Sequence, residues 1–263
     1  MTDSNPLVLY DQSASSYAQK IRIALREKGI PFTIKTPSAT TKETEFIAAS
    51  PRLEVPALID GDVQIFDSTI ILEYIEEKWP TPPLMPKSPA ERAKARMIEE
   101  VCDTHYEATN WGYGELLWFG RADHNAELKA SMTKKALEQT RTCLDWLAKQ
   151  LGEKSFFHGE VFGWADVCAA AIVNRTRYYG IVLVVGEAME RWLKRIRERD
   201  SVRETFNEAE AAFMSMANMK EKFASGARKR EYRDHRLEWM IKCGGLGIVK
   251  NGIEKDNVKF SWP

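Results

Sequence analysis

At 263 residues the chain has room for one large domain or two small ones, and its 44% hydrophobic and 29% charged residues are those of a soluble globular protein. Lys plus Arg (38) balances Asp plus Glu (38), so no overall field draws in nucleic acid or an anionic membrane. No apolar run approaches a bilayer span, the longest being GIVLVVG around Ile181 to Val185, and the opening MTDSNPLVLYDQ lacks the basic start and apolar core of a secretory signal.

LVLY (Leu7 to Tyr10) reads as a short buried strand. From Tyr17 the apolar residues Ala18, Ile21, Ala24 and Leu25 recur at helical spacing, and Lys28-Gly29 supplies a stop. PFTIK is a second strand, which makes a β-α-β unit and a parallel pair. TKETEFIAASP carries a short helix that must end before Pro51. VPALID and VQIF form a hairpin across Asp60-Gly61-Asp62. DSTIILEYIEEKWP is a helix capped by Asp67 or Ser68. The order is β-α-β-α-β-β-α, a mixed sheet over residues 1–80.

PTPPLMPKSP has five prolines in ten residues, a stiff connector placed at 81–88. Everything from 89 to 219 reads as helix. The first helix starts after Ser88 with Pro89 at its first position and runs through AERAKARMIEEVCDTHYEATNWGYGELLWFG. AELKASMTKKALEQTRTCLDWLAKQL carries an apolar stripe, and WADVCAAAIVNRTRYYG is apolar enough to be central to its bundle. EAMERWLKRIRERD and VRETFNEAEAAFMSMANM follow as two more helices. Four cysteines (Cys102, Cys143, Cys168, Cys243) stand far apart, with no C-x-x-C pair and no histidine at ligand spacing. Free thiols in a reducing, cytoplasmic compartment and no structural metal are expected.

Four segments in order carry a family resemblance. They are SSYAQKIRIALREKGI, SPRLEVPALID, FDSTIILEYIEEKWP and GEVFGWADVCAAA. Together, over Leu7 to Met219, the chain resembles the glutathione S-transferase superfamily in its serine-type form, without assignment to a class among the zeta, theta and phi types. The resemblance implies an α/β thioredoxin-like N-terminal domain followed by an all-α helical bundle. It implies glutathione as co-substrate, a small hydrophobic electrophile as second substrate, and a homodimer.

A thiol ionises near pH 8.5, so a bound thiol needs help to be a nucleophile at neutral pH. A helix start offers free N–H groups and partial positive charge. A serine hydroxyl bonded to the anion adds roughly 1.5–3 kcal/mol, on the order of one to two pKa units. By the family's register Ser15, followed by Ser16, Tyr17 and Lys20, ranks first for this role, Ser16 second as a further donor, and Tyr10 third, because other classes use a tyrosine at the end of the first strand. Ser13 lies too early. Plain helix capping is the commoner use of such serines.

The resemblance also implies a cis Val55-Pro56 bond, with the Val55 backbone pairing with the cysteinyl unit. It places Asp67 on the α-ammonium and Ser68 on the carboxylate of the γ-glutamyl end, and Lys42 near the glycyl carboxylate. Glu54 stands where a glutamine is usual, and an acid there would repel that carboxylate. Gly163 replaces the usual Ser or Thr cap before Asp166, which is expected to be a folding residue. No cysteine lies between Asp11 and Lys20, which argues against thiol–disulfide exchange.

The acceptor pocket implied by the resemblance draws on Tyr106, Trp111, Tyr113, Trp118, Phe119 and Arg121, an aromatic wall suited to a conjugated electrophile. The 220–263 extension carries eight Lys/Arg against four Asp/Glu in residues 220–242, with a helix packing Leu237, Met240 and Ile241 and stopped at Gly244-Gly245. GGLGIVKNG lacks a strand–turn–helix context and is not a nucleotide loop. The expected function is transfer of glutathione to an electrophilic carbon. A zeta-like cis–trans isomerase and a non-catalytic binding or regulatory module are the alternatives.

Overall fold

The computed structural model describes residues 7–37, 44–181, 183–184, 186–214, 219–226, 237, 240–241 and 243–255. The chain divides into two compact units, residues 1–217 and 218–263.

In the first unit, β1 (Leu7–Tyr10), β2 (Phe32–Lys35), β3 (Ala57–Asp60) and β4 (Val63–Phe66) form one sheet in the order β2-β1-β3-β4. β1 and β2 are parallel, as the intervening helix α1 (Ser16–Glu27) requires, and the other two pairs are antiparallel. The hairpin expected across Asp60 to Asp62 is present, with Gly61 at φ 60° supplying the left-handed residue of the turn. Alternation along β1 sends Leu7 and Leu9 into the main core, and Val8 and Tyr10 to the opposite face with Phe46 of the short helix α2 (Thr44–Ala49).

Helix α1 is buried almost all round, because the helices over Ser68–Lys78, Trp164–Tyr178 and Asp200–Met214 all pack against it. Its charged residues are inside with their partners. Lys20 Nζ donates to Glu99 (2.8 Å) and Asp103 (2.6 Å), and the fully buried Arg22 pairs with Asp11 (2.9 Å) and Glu208. At its end Lys28 Nζ donates to the carbonyls of Trp79 and Pro82 (both 2.7 Å) and meets Glu76 at 2.7 Å. Burying an ion without such a partner costs several kcal/mol, so these acids are conditions for α1 packing where it does.

Helix α3 (Ser68–Lys78) is capped by Asp67, and α4 (Pro89–Val101) by Ser88 with Pro89 in its first turn, as the sequence predicts. The expected single helix continues through a π turn at Cys102–Tyr106 into α5 (Glu107–Leu117). Helix α6 (Ala126–Leu151) follows. The apolar α7 (Trp164–Tyr178) is central to the bundle, with α8 (Ala188–Ile196) and α9 (Asp200–Met214) after it.

Gly163 begins α7 in extended backbone, and Asp166 bonds back to it: Gly163 N donates to Asp166 Oδ2 at 3.0 Å. Phe157 N (3.1 Å) and Trp192 Nε1 (2.8 Å) donate to the other oxygen, so Asp166 ties three segments together. Burial pushes its carboxyl up to about 7 against those three donors.

In the second unit α10 (Met219–Ala224) and α11 (Leu246–Glu254) are described. The helical residues before Gly244 end as expected, with Gly244 at φ 78° and the Gly245 amide donating to the Met240 carbonyl (2.6 Å). Leu237 and Ile241, expected to pack, are exposed instead. No helix among the described residues is long and apolar enough to cross a membrane.

Candidate active site

Sheet register brings three of the sequence segments to one end of the sheet. Tyr10, the last residue of β1, lies opposite Lys35 of β2 and Ala57 of β3, and Ala57 lies opposite Phe66 of β4. The segments continuing from that row are Asp11 to Ser16, Val55-Pro56 and Asp67-Ser68. With strands about 4.8 Å apart, they fall within roughly 10 Å of one another across the sheet edge.

Ser15 is the N-cap of α1, in extended backbone, and half-buried. Its amide donates to the Gln12 carbonyl (2.7 Å) and its carbonyl accepts from Gln19 (3.0 Å), which fixes the turn. Its Oγ accepts from Ala18 N at 3.4 Å, a long cap bond that uses an oxygen lone pair and leaves the O–H free to donate. The first N–H groups of the helix have no intrahelical acceptor. The Ser13 carbonyl accepts from Arg22 Nη2 (2.8 Å), so the same buried arginine that pairs with Asp11 also holds this turn.

The rival hydroxyls are committed elsewhere. Ser16 Oγ is buried, donates to Glu107 Oε2 (2.9 Å) and accepts from Arg175 Nη1 (3.0 Å). Tyr10 is buried on the α2 face of the sheet, donates to Glu45 and has Lys35 over its ring at 5.7 Å. Tyr17 donates to the Asp103 carbonyl (2.6 Å), and burial together with the nearby carboxylates of Glu107 and Asp103 holds its phenol well above the ordinary range. Of the three candidate hydroxyls, that of Ser15 donates to no acceptor among the described residues, whereas Ser16 and Tyr10 point into protein networks.

Val55-Pro56 is cis, and the half-buried Val55 lies two residues ahead of the first residue of β3. Asp67 has φ 76°, a region that costs a non-glycine residue on the order of 1–3 kcal/mol and that turns up at ligand-holding positions. Its carboxylate accepts from Thr69 N (3.0 Å) and Ile70 N (3.3 Å), so it serves as the cap, with Ser68 buried beside it. Glu54 is paired with Arg52 at 2.7 Å, which offsets the repulsion its charge would exert on a neighbouring carboxylate. Lys42 lies outside the described residues.

The aromatic wall is built differently from the expectation. Tyr106 is fully buried in the bundle and bonded to Thr176 (2.7 Å), so it is a core residue. Tyr113 packs on Tyr179 (5.3 Å between centroids), and Trp118 stacks on Tyr179 (4.7 Å) and on Phe213 of α9 (4.9 Å). Trp111 and Phe119 are half-buried on the same stretch of chain, while Arg121 is turned to Glu115 at 3.5 Å. Glu107, Arg175, Tyr179 and Phe213 were not singled out from the sequence. Arg175 was the discoverable one, since an ionisable residue in a helix buried along most of its length needs a partner. It pairs with Glu107 at 2.6 Å and lies over the Trp118 ring at 5.7 Å.

Two family models match: glutathione S-transferase N-terminal domain over residues 9–83 and glutathione S-transferase C-terminal domain over residues 103–195. A stringent starvation protein A homolog from Haemophilus ducreyi is 28% identical, covering 73% of this chain and 86% of that protein. A probable glutathione S-transferase from Nicotiana plumbaginifolia is 34% identical, over 67% of this chain and 75% of that protein. Among solved structures, glutathione S-transferase I from mais, in complex with an atrazine–glutathione conjugate, superposes with TM-score 0.68 at 23% identity, covering 78% of this chain and 99% of that one. Matching models at both ends of the described fold, a relative at this level of identity and the shared architecture place the chain in the glutathione S-transferase superfamily.

Proposed function

We propose that the chain is a glutathione transferase in which Ser15 donates its hydroxyl to the glutathione thiolate, which then attacks an electrophilic carbon of a small hydrophobic acceptor. The observation that carries this reading is the Ser15 O–H, which has no acceptor among the described residues, at the start of a helix whose other hydroxyls are engaged. Val55 and the Asp67-Ser68 helix start, at the same sheet edge, are proposed to hold the cysteinyl and γ-glutamyl units. Trp118, Tyr113 and the neighbouring Trp111 and Phe119 form the acceptor side. Tyr10 is the weaker candidate, because its hydroxyl is already bonded to Glu45.

Ser15→Ala is expected to raise the pKa of bound glutathione by about one to two units and to lower kcat/KM at neutral pH by roughly 10- to 100-fold. Ultraviolet absorbance of the bound thiolate against pH measures the first, and conjugation kinetics the second. Full activity in Ser15→Ala with loss in Tyr10→Phe would move the role to Tyr10. A relative at 28% identity whose name carries no transferase activity, the stringent starvation protein A homolog, leaves room for one second reading, a binding module without catalysis. That reading predicts a folded protein that neither binds glutathione nor shifts its thiol.

A further inference from the structure

The residue after Ser15 is built into a closed ring. Ser16 Oγ donates to Glu107 Oε2 (2.9 Å), Glu107 Oε1 accepts from Arg175 Nη1 (2.6 Å), and the same Nη1 donates back to Ser16 Oγ (3.0 Å). The three residues come from α1, α5 and α7. Both charged side chains are 12% exposed, so the pair lies in a site where water screens little. On its far side the Arg175 guanidinium lies over the Trp118 ring at 5.7 Å, and it also meets Tyr179. One side chain therefore touches both the start of α1 and the aromatic wall.

We propose that Arg175 is a positioning residue of the transferase reaction: by neutralising Glu107 and holding Ser16 it keeps the start of α1 receptive to a thiolate, and through Trp118 it ties that start to the acceptor wall. The inference rests on the glutathione-transferase reading above.

The electrostatics argue for it. The groups facing this turn are Asp11 within it, Tyr17, Lys20 and Arg22 from α1, Glu99 from α4, Asp103 from the π turn, Glu107 from α5, Arg175 and Tyr179 from α7 and its end, and Glu208 from α9; Arg22 is taken up by Asp11 and Glu208. Lys20 is already shared by Glu99 and Asp103. Glu107 has Arg175 as its cationic partner, so removing that cation leaves a buried carboxylate bonded to the residue next to Ser15. A like charge there opposes the anion that the helix start favours. The π turn makes the ring possible. In a regular helix Glu107 would stand about 80° round from Glu99; one extra residue in the turn brings it back to within about 20°, facing α1 as Glu99 does.

The test compares the parent, Arg175→Met, the charge-balanced Glu107→Gln/Arg175→Met pair, and Ser16→Ala. The bound-thiol pKa of glutathione is read by absorbance, and kcat and KM with a chloronitrobenzene electrophile. Arg175→Met is expected to raise the thiol pKa by about one unit, with a roughly tenfold loss of kcat/KM at neutral pH, and to raise the electrophile KM. The balanced pair should return the pKa to the parent value but leave the KM raised. Ser16→Ala should lower kcat severalfold and leave the electrophile KM unchanged. A thiol pKa equal to the parent's in Arg175→Met, or no recovery in the balanced pair, overturns the inference. If Arg175→Met does not fold, an unchanged pH profile in Ser16→Ala overturns it. A parent that binds no glutathione removes the transferase reading and this inference together. A parent that binds it and lowers its pKa, while ignoring Arg175, removes only the inference.

Discussion

At Gly163 a side chain has no room: a Cβ would lie 2.6 Å from the Leu84 carbonyl oxygen and 2.6 Å from a carbon of the His158 ring. Both neighbours are held, the first by Trp164 N at 2.9 Å and the second by Ala165 N at 3.1 Å. Restoring the serine cap common at this position is therefore expected to destabilise, by roughly 1–3 kcal/mol in chemical denaturation of Gly163→Ser, even though a serine cap is ordinarily better than glycine. At Lys20 the expected effect is larger. Lys20→Met leaves Glu99 and Asp103 without their shared ammonium and should cost about 3–5 kcal/mol, with most of the loss recovered when Asp103→Asn is added.

Among the elements, those governed by short-range chemistry were legible in the sequence. The LVLY strand, the glycine turn between β3 and β4, the Ser88-Pro89 helix start and the Asp166 bond back to residue 163 all depend on neighbours within a few positions. Ser15 was legible because a helix cap is local. What was missed depends on how helices meet. The π turn has no composition signal, and it decides that Glu107 faces Ser16 while Tyr106 turns inward to Thr176. Phe213 joins Trp118 only because α9 returns to the same region. Ser16 and Arg175 are 159 positions apart, beyond the reach of any periodicity. Glu54 shows a middle case: its sign was legible, but the sign of its effect depended on Arg52 pairing with it.

For the whole molecule, buried carboxylates set the response to pH. Burial pushes Asp103 up to about 6, against the pull of Lys20, and Asp166 up to about 7, from an ordinary value of 3.8. A raised folded-state pKa means stability that is present below the unfolded value and lost as pH rises through the folded one. Thermal stability of the parent is thus expected to fall by about 5 °C or more between pH 5 and pH 8, and Asp103→Asn should flatten part of that slope. Below pH 4 the opposite groups take over, since Glu208 is held low by Arg26 and Arg22 despite its burial, and its contribution disappears on protonation. The family resemblance implies a homodimer, and we propose that the exposed Ile70 on α3 and Met97 on α4 belong to its contact. Ile70→Glu with Met97→Glu is expected to give a monomer by light scattering; an unchanged mass would place the contact elsewhere.

The enclosure of α1 carries one more consequence, for isotope exchange. From Ala18 to Leu25 the helix is buried, and two of its cations are clamped by partners on α4, the π turn and α9, so the amides from Gln19 onward have no local opening to exchange through. The amides up to and including Ala18 escape the helical ladder, that of Ala18 being held by Ser15 Oγ, and the ladder begins at Gln19. Mass spectrometry in heavy water should accordingly find a sharp boundary inside one helix, slow beyond Ala18 and fast before it. A ligand seated at Ser15 should slow the fast side alone.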